Sequence, residues 1–194
     1  MEMPQEMEPH AQPNPDLERL IGPIGRAVDG DRVTGLARVV TQLEAAGAFE
    51  DPALYPAPRT DRYARRLIWR DPDERFVVVG VTWQPGQASP LHDHAGLWGV
   101  EIVVQGTMEE QAFRLVDRDA LGRYRFHRES EGFVTRSSVG ILLPPLEYHT
   151  FRNAGAQLAH TFHVYGGSLD HCRAFVEDDD GWWRGERVAL AYDA

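Results

Sequence analysis

Only one cysteine, Cys172, occurs among 194 residues, so no internal disulfide framework can form. Long apolar runs are also missing. Nowhere do about 18 apolar residues follow one another, as a membrane-spanning helix would need. The opening residues, MEMPQEMEPHAQPNPD, show neither the basic nor the apolar region of a secretory signal. Positive charge is in deficit: 20 Lys and Arg face 30 Asp and Glu, and the formal net charge of -10 sets up a field that repels nucleic acid. These absences lead to the expectation of a cytoplasmic protein with no nucleic-acid partner and no membrane partner. What is present, 42% hydrophobic and 26% charged residues, is enough to build one full core and excludes an intrinsically disordered chain. The 8 histidines exclude nothing, and the question is whether any of them converge.

Residues 1–16 are rich in Pro, Glu and Gln and offer little to bury, which predicts a flexible tail. From Leu17 the apolar residues Leu20, Ile21, Ile24, Val28, Leu36, Val39, Val40 and Leu43 recur at helical spacing. Gly22-Pro23 and Asp29-Gly30-Asp31 interrupt them, which predicts two or three short helices over 17–50. A proline-punctuated connector, Asp51 to Pro58, follows. Nine short strand-like runs come next: Tyr63–Trp69, Phe76–Trp83, Trp98–Val104, Met108–Leu115, Tyr124–His127, Phe133–Thr135, Gly140–Leu143, Tyr148–Arg152 and His160–Tyr165. With no helical pattern between them they predict an antiparallel sandwich or barrel, whose interior is a natural binding site. The expected organisation is a single domain over 17–194, with N-terminal helices at 17–50, a barrel core at 60–168 and a C-terminal extension at 169–194. In that extension a further short helix and a closing strand are predicted.

The informative segment runs from Trp83 through Gly86 and Pro90 to Leu91-His92-Asp93-His94. Residues two apart on an extended segment project to one face, so His92 and His94 can present two imidazoles to one ion while Asp93 points away. A lone His-x-His pair is more simply two half-exposed histidines, and the wider context decides. Gly86 lies six residues before His92, Gly106 closes the following strand, and a proline turn at Pro144-Pro145 leads to His149 and Asn153. Together these resemble the two motifs of the cupin superfamily, which implies a double-stranded β-helix, or jelly-roll barrel, and makes His149 the third metal ligand. Gly99 occupies the place of the superfamily's glutamate. Three neutral imidazoles suit Fe, Zn, Cu or Ni and leave coordination positions open for chemistry. Glu101, the nearest downstream acid, has the wrong spacing to Gly106 for the cupin glutamate and is not expected to be a ligand.

A three-histidine site of this kind is similar to that of the cysteine dioxygenase type of thiol dioxygenase, and residues 60–168 resemble that family. Trp83 stands nine residues before the first ligand, as an aromatic does there. Gly99 takes the position at which the animal enzymes carry a crosslinking cysteine, as in many bacterial members, so a thioether cofactor is not expected. Thr161-Phe162-His163-Val164-Tyr165 resembles the family's Ser-x-His-x-Tyr triad with threonine for serine, and Tyr63-Ala64-Arg65 resembles the strand that anchors the substrate carboxylate. Strand alternation allows only one of Arg65 and Arg66 to face inward, and the Tyr-x-Arg spacing selects Arg65. Arginine presents a planar fork that can hold a carboxylate.

The resemblance implies Fe(II) as cofactor, with a small thiol carboxylate such as cysteine and O2 as partners. The product would be a sulfinic acid. The implied catalytic residues are Tyr165, His163 and Thr161, with Arg65, Tyr63 and Trp83 at the substrate. Alternatives are a dioxygenase for 3-mercaptopropionate or mercaptosuccinate, the latter engaging both arginines across a bulge, a noncatalytic ligand- or metal-binding cupin, and a zinc hydrolase. Cys172 is expected to be structural, and His10, His127, His160 and His171 structural or solvated. The oligomeric state is left open.

Overall fold

A computed structural model describes residues 15–30 and 33–193 of the chain; the expected flexible tail and His10 lie outside the described residues, apart from the last two positions of that tail. Two helices come first, α1 (Pro15–Asp29) and α2 (Thr34–Ala45), then a 3-10 turn at Pro52–Leu54. Eleven strands follow among the described residues: β1 (Ala64–Arg70), β2 (Val77–Trp83), β3 (Leu91–His92), β4 (Gly99–Gln105), β5 (Thr107–Arg118), β6 (Tyr124–Thr135), β7 (Val139–Leu142), β8 (Tyr148–Asn153), β9 (Ala159–Tyr165), β10 (His171–Glu177) and β11 (Trp183–Ala189).

The strands form two sheets. The first has the order β1-β2-β9-β4-β7, and in the second β10, β11, β6, β5, β8 and β3 pair in a ring. All pairings are antiparallel. The protein is mainly β, a cupin-type jelly roll with a helical segment at its N-terminal side.

Strand periodicity sorts the first sheet into two environments. On one face Val78, Val100, Ile102, Val104, Phe162 and Val164 pack with Leu20, Ile24, Leu36, Val40 and Phe49 from the helical segment. On the other face Val77, Val79, Val81, Trp83, Val103 and Tyr165 turn toward the barrel interior. The aromatic contact that joins the layers is Phe49 on Phe162, with ring centroids 4.2 Å apart.

Three expectations are corrected. The Gly22-Pro23 pair does not break the first helix, because α1 runs through Pro23. The lost backbone bond and steric clash cost about 3 kcal/mol, and the buried stripe Leu20, Ile21, Ile24 and Val28 offsets this at about 1.5–3 kcal/mol per side chain. The runs Tyr124–His127 and Phe133–Thr135 are the two ends of one strand, β6, whose polar middle remains extended because its residues pair with β5 on both sides of a bulge at Glu129. Backbone pairing does not require apolar alternation where both faces meet solvent.

The expected C-terminal helix is absent. His171–Glu177 and Trp183–Ala189 form a hairpin, closed by Asp178 N donating to Trp182 O and by Gly181 at φ +76°. This hairpin belongs to the second sheet, so the barrel extends beyond residue 168. Cys172 and Ala174 are buried with the exposed Arg173 between them, a period-two pattern that serves a strand, while Phe175 on the other face packs with Leu91 and Tyr124.

At the β1–β2 turn the buried Asp71 carboxylate accepts from Asp73 N, Arg75 N, and Arg75 Nε and Nη2 (2.6–3.2 Å). The hydrogen bonds from Arg75 hold its pKa below the ordinary carboxylate value against the opposing effect of burial. A depressed folded pKa contributes stability that is present above the unfolded value, about 3.9, and is lost as pH falls through the folded value. Asp71→Asn is therefore expected to lower the urea midpoint at pH 7, with the gap from wild type closing as the pH drops below about 4. Phe49→Ala is expected to cost about 3–5 kcal/mol in the same urea measurement, since Phe49 is only 1% exposed.

Candidate metal centre

The register of the first sheet lines up the residues of its inner face in rows. One row carries Arg65, Val81, Thr161 and Val103; the next carries Leu67, Val79, His163 and Glu101; a third carries Val77, Tyr165 and Gly99. Facing them, β3 places His92 directly opposite His149 of β8. His94 lies just past β3 and turns inward with His92, while the Asp93 carboxylate accepts from Ala95 N (3.1 Å) and Arg173 N (2.8 Å) away from the cavity. The predicted parity of this segment is what the structure has.

His92, His94 and His149 come together, each offering a ring nitrogen within 4.8 Å of the others. The ring centroids are 4.7–5.1 Å apart. His92 Nδ1 lies 3.0 Å from Pro90 O, which leaves Nε2 as a lone pair for an ion. Both ring nitrogens of His94, and Nδ1 of His149, are buried without a hydrogen-bond partner. An unpaired buried polar atom costs about 1–3 kcal/mol, so a metal ion taking one lone pair from each of the three imidazoles, including one of the two unpartnered nitrogens of His94, fits the residues present.

Burial pushes His92 down to about 3 and His94 well below the ordinary histidine value, which keeps these imidazoles neutral, as a ligand must be. His149 differs: burial opposes its charge, but Glu101 and Glu110 raise its pKa. Their carboxylates both stand 3.6 Å from His149 Nδ1, a range for electrostatic orientation of the ring rather than for a hydrogen bond.

A second chain of contacts leads across the cavity. Trp83 Nε1 donates to Thr161 Oγ1 (3.0 Å), Thr161 Oγ1 lies 2.7 Å from His163 Nε2, and the Tyr165 hydroxyl lies 3.0 Å from His163 Nδ1. Gly99 provides the room: a Cβ there would stand 3.0 Å from the Tyr165 ring and 3.1 Å from Leu142 Cδ1. Burial raises the Tyr165 pKa above the ordinary phenol value, so the hydroxyl keeps its proton.

Arg65 is 5% exposed and lines the cavity, and neither terminal guanidinium nitrogen has a partner. Arg66 faces the helix side, beside Leu17, Leu20 and Asp51. A register shift does occur in β1, but between Leu67 and Trp69, after both arginines, so it cannot bring Arg66 inward. Tyr63 stacks on Trp83 at 4.3 Å and joins the same wall. Eight of the nine predicted site residues thus line one cavity, and the ninth, Thr161, stands behind it in contact with Trp83 and His163. The cavity volume of about 40 Å³ limits it to a small molecule.

Glu101 was not expected as a ligand by its spacing, and the structure nonetheless buries it in the cavity wall, with Oε2 3.2 Å from His163 Nδ1. Despite burial, which raises its pKa, His149 and His163 hold the carboxyl down at about 2. The signal was available in its parity with Gly99, two residues earlier on the same strand. Leu169, Cys172 and Leu190 also line the cavity. They enter only because the C-terminal hairpin closes the barrel, and no motif marks them. Burial pushes the Cys172 thiol up to about 11, so it stays protonated at neutral pH. His160, on the opposite parity of β9, stacks on Tyr55 at 4.4 Å outside the cavity, and His171 pairs with Asp170 at the surface.

Similar folds occur among solved structures. The protein TT1209 of Thermus thermophilus is 20% identical over 58% of this chain and 90% of its own, with a TM-score of 0.43. An uncharacterized conserved protein with a double-stranded β-helix domain from Klebsiella pneumoniae is 18% identical over 59% of this chain and 81% of its own, with a TM-score of 0.46. The profile of the family described as cysteine dioxygenase type I matches residues 29–178, which include all three converging histidines, Arg65 and the Thr161–His163–Tyr165 series. With well over half of its length matched, the chain belongs to the cysteine dioxygenase type I family.

Proposed function

We propose that this protein is an Fe(II)-dependent thiol dioxygenase that adds both atoms of O2 to the sulfur of a small thiol carboxylate such as cysteine. The observation that carries the reading is the pairing, in one small cavity, of three converging imidazoles with a buried guanidinium that has no partner. The imidazoles suit a redox-active first-row metal, and the guanidinium suits a carboxylate at the other end of a short substrate. The overall change is R–S⁻ + O2 → R–SO2⁻, in which sulfur is oxidised, dioxygen is reduced, and no further reductant is needed. Iron(II) held by His92, His94 and His149 would supply the redox centre and favour the thiolate form of the substrate.

The chain's own residues orient the reactants. Glu101, as a carboxylate, can only accept, so its approach to His163 Nδ1 favours the tautomer with the proton on that nitrogen. Nε2 then accepts from the Thr161 hydroxyl, whose oxygen already accepts from Trp83 Nε1. In that arrangement Tyr165 and Glu101 share the one Nδ1 proton of His163 as acceptors, and the phenol is free to donate its own proton into the cavity. A phenol donor held this way can hydrogen-bond to the substrate or to an oxygen atom gaining charge. Arg65 holds the carboxylate, and Tyr63, Trp83 and Leu169 exclude water around it. With Arg66 on the helix side, a dicarboxylate has one cavity arginine rather than two, which favours monocarboxylate thiols.

The deciding measurement is oxygen uptake by the iron-loaded protein against cysteine, 3-mercaptopropionate and mercaptosuccinate, with sulfinate identified as product. Uptake with one of the monocarboxylates is expected; no uptake with any thiol at stoichiometric iron would leave a noncatalytic cupin. His149→Ala is expected to lower iron retention by at least about tenfold, read by metal analysis of the purified protein, and retained iron would remove His149 from the ligand set. Tyr165→Phe is expected to keep iron and to slow turnover by roughly 10–100-fold, the worth of one hydrogen bond to a charged group. An unchanged rate would exclude the phenol from the reaction.

A further inference from the structure

Arg65 is a buried cation whose guanidinium touches no carboxylate, and the segment after β11 explains how it stays that way. β1 is an edge strand of its sheet, and residue 193 pairs with that edge: Asp193 N donates to Arg65 O (2.6 Å), and Arg65 N donates to Asp193 Oδ2 (3.0 Å). The rest of the Asp193 carboxylate is taken up by Arg62 Nη1 and Nη2 (2.9 and 2.6 Å) and by Arg59 Nη1 (3.3 Å). The one acid fastened beside Arg65 is therefore fully engaged with its backbone and with other arginines. Leu190 N donates to Asp170 O (2.8 Å), which fixes the near end of the same segment, and Leu190 lines the cavity.

Fastened at both ends, the segment lays the Tyr192 ring over the guanidinium, 5.1 Å from ring centroid to Cζ. The Tyr192 hydroxyl is buried and, like both terminal nitrogens of Arg65, has no hydrogen-bond partner. Tyr63, Leu190 and Tyr192 pack against the cluster that holds Tyr165 and Trp83, and Arg65 lies beneath the Tyr192 ring, which gathers these groups on one side of the cavity. Buried orphans at one spot that are all donors, one of them a full cation, describe the complement of an anion. A carboxylate offers two oxygens with about four acceptor sites, enough for the two nitrogens of a guanidinium fork and one phenol.

Resting on the thiol-carboxylate reading above, we propose that the segment Leu190–Asp193 completes the substrate-carboxylate subsite, with the Tyr192 hydroxyl donating to the carboxylate beside Arg65. The ring fixes the fork's orientation from one side while the hydroxyl adds a donor. Substrate selection for thiols that carry a carboxylate, over thiols that lack one, then depends on a residue far from every metal ligand in sequence.

The test compares cysteine with cysteamine, which has the same thiol and amine without the carboxylate. Each is titrated calorimetrically into the anaerobic iron-loaded protein, and the KM of each is measured by oxygen uptake. Tyr192→Phe keeps the ring and removes only the hydroxyl; it is expected to weaken cysteine binding and raise its KM by about tenfold while leaving cysteamine unchanged. Tyr192→Leu, which also removes the ring over the guanidinium, is expected to lose at least as much on cysteine alone. Wild-type affinity for cysteine in Tyr192→Phe, or equal losses on both thiols, would overturn the subsite. A protein that binds cysteine in a Tyr192-dependent way yet consumes no oxygen would overturn the dioxygenase reading and leave the subsite standing.

Discussion

The two-residue period of β9 governs most of what this molecule can do. The strand lies between β2 and β4 in the centre of its sheet, so each of its faces is committed. Thr161, His163 and Tyr165 turn into the barrel, while His160, Phe162 and Val164 turn toward the other layer, where Phe162 meets Phe49. A slip of one residue would exchange the two sets. The packing of the helices on the outer face thus holds the polar series of the inner face in register, and stability and chemistry share one constraint.

Against that fixed wall, the opposite sheet contributes histidines whose burial would otherwise be unfavourable. Desolvation, reinforced by the neighbouring imidazoles, keeps His92 and His94 uncharged and leaves their lone pairs open to a cation. The nearby carboxylates of Glu101 and Glu110 act in the opposite sense on His149, so the three imidazoles are not electrostatically equivalent. In the same cavity wall Arg65 carries positive charge with neither terminal guanidinium nitrogen hydrogen-bonded. The same cavity wall thus offers unpartnered guanidinium donors and imidazole lone pairs, the two kinds of group that the proposed thiol carboxylate would need.

Much of this was legible from residue spacing. The His92-x-His94 parity, the outward Asp93, the choice of Arg65 over Arg66 and the separation of His160 from His163 all follow from strand alternation, which is local and needs no partner. The strand runs in the middle of the chain were visible for the same reason. Gly22-Pro23 misled because the favourable burial along α1 comes from a sheet residues away, not from the helix itself. The polar centre of β6 misled because its backbone partner, β5, stabilises an extended form that its own side chains do not announce. Glu101 could have been placed by its parity with Gly99, whereas superfamily spacing argued against it.

The sequence by itself determined the parity of each candidate side chain and the chemical types available, since a strand's alternation and an imidazole's lone pair are properties of the local chain. Only the tertiary structure decided which of these groups meet. It brought His149 against His92 across β3 and β8, set Glu101 beside His163 across β4 and β9, and folded Asp193 back onto Arg65 over 128 residues of separation. Such meetings depend on sheet register and on the closure of the C-terminal hairpin. Both are settled by burial and backbone pairing summed over the whole barrel, and no window of sequence contains them.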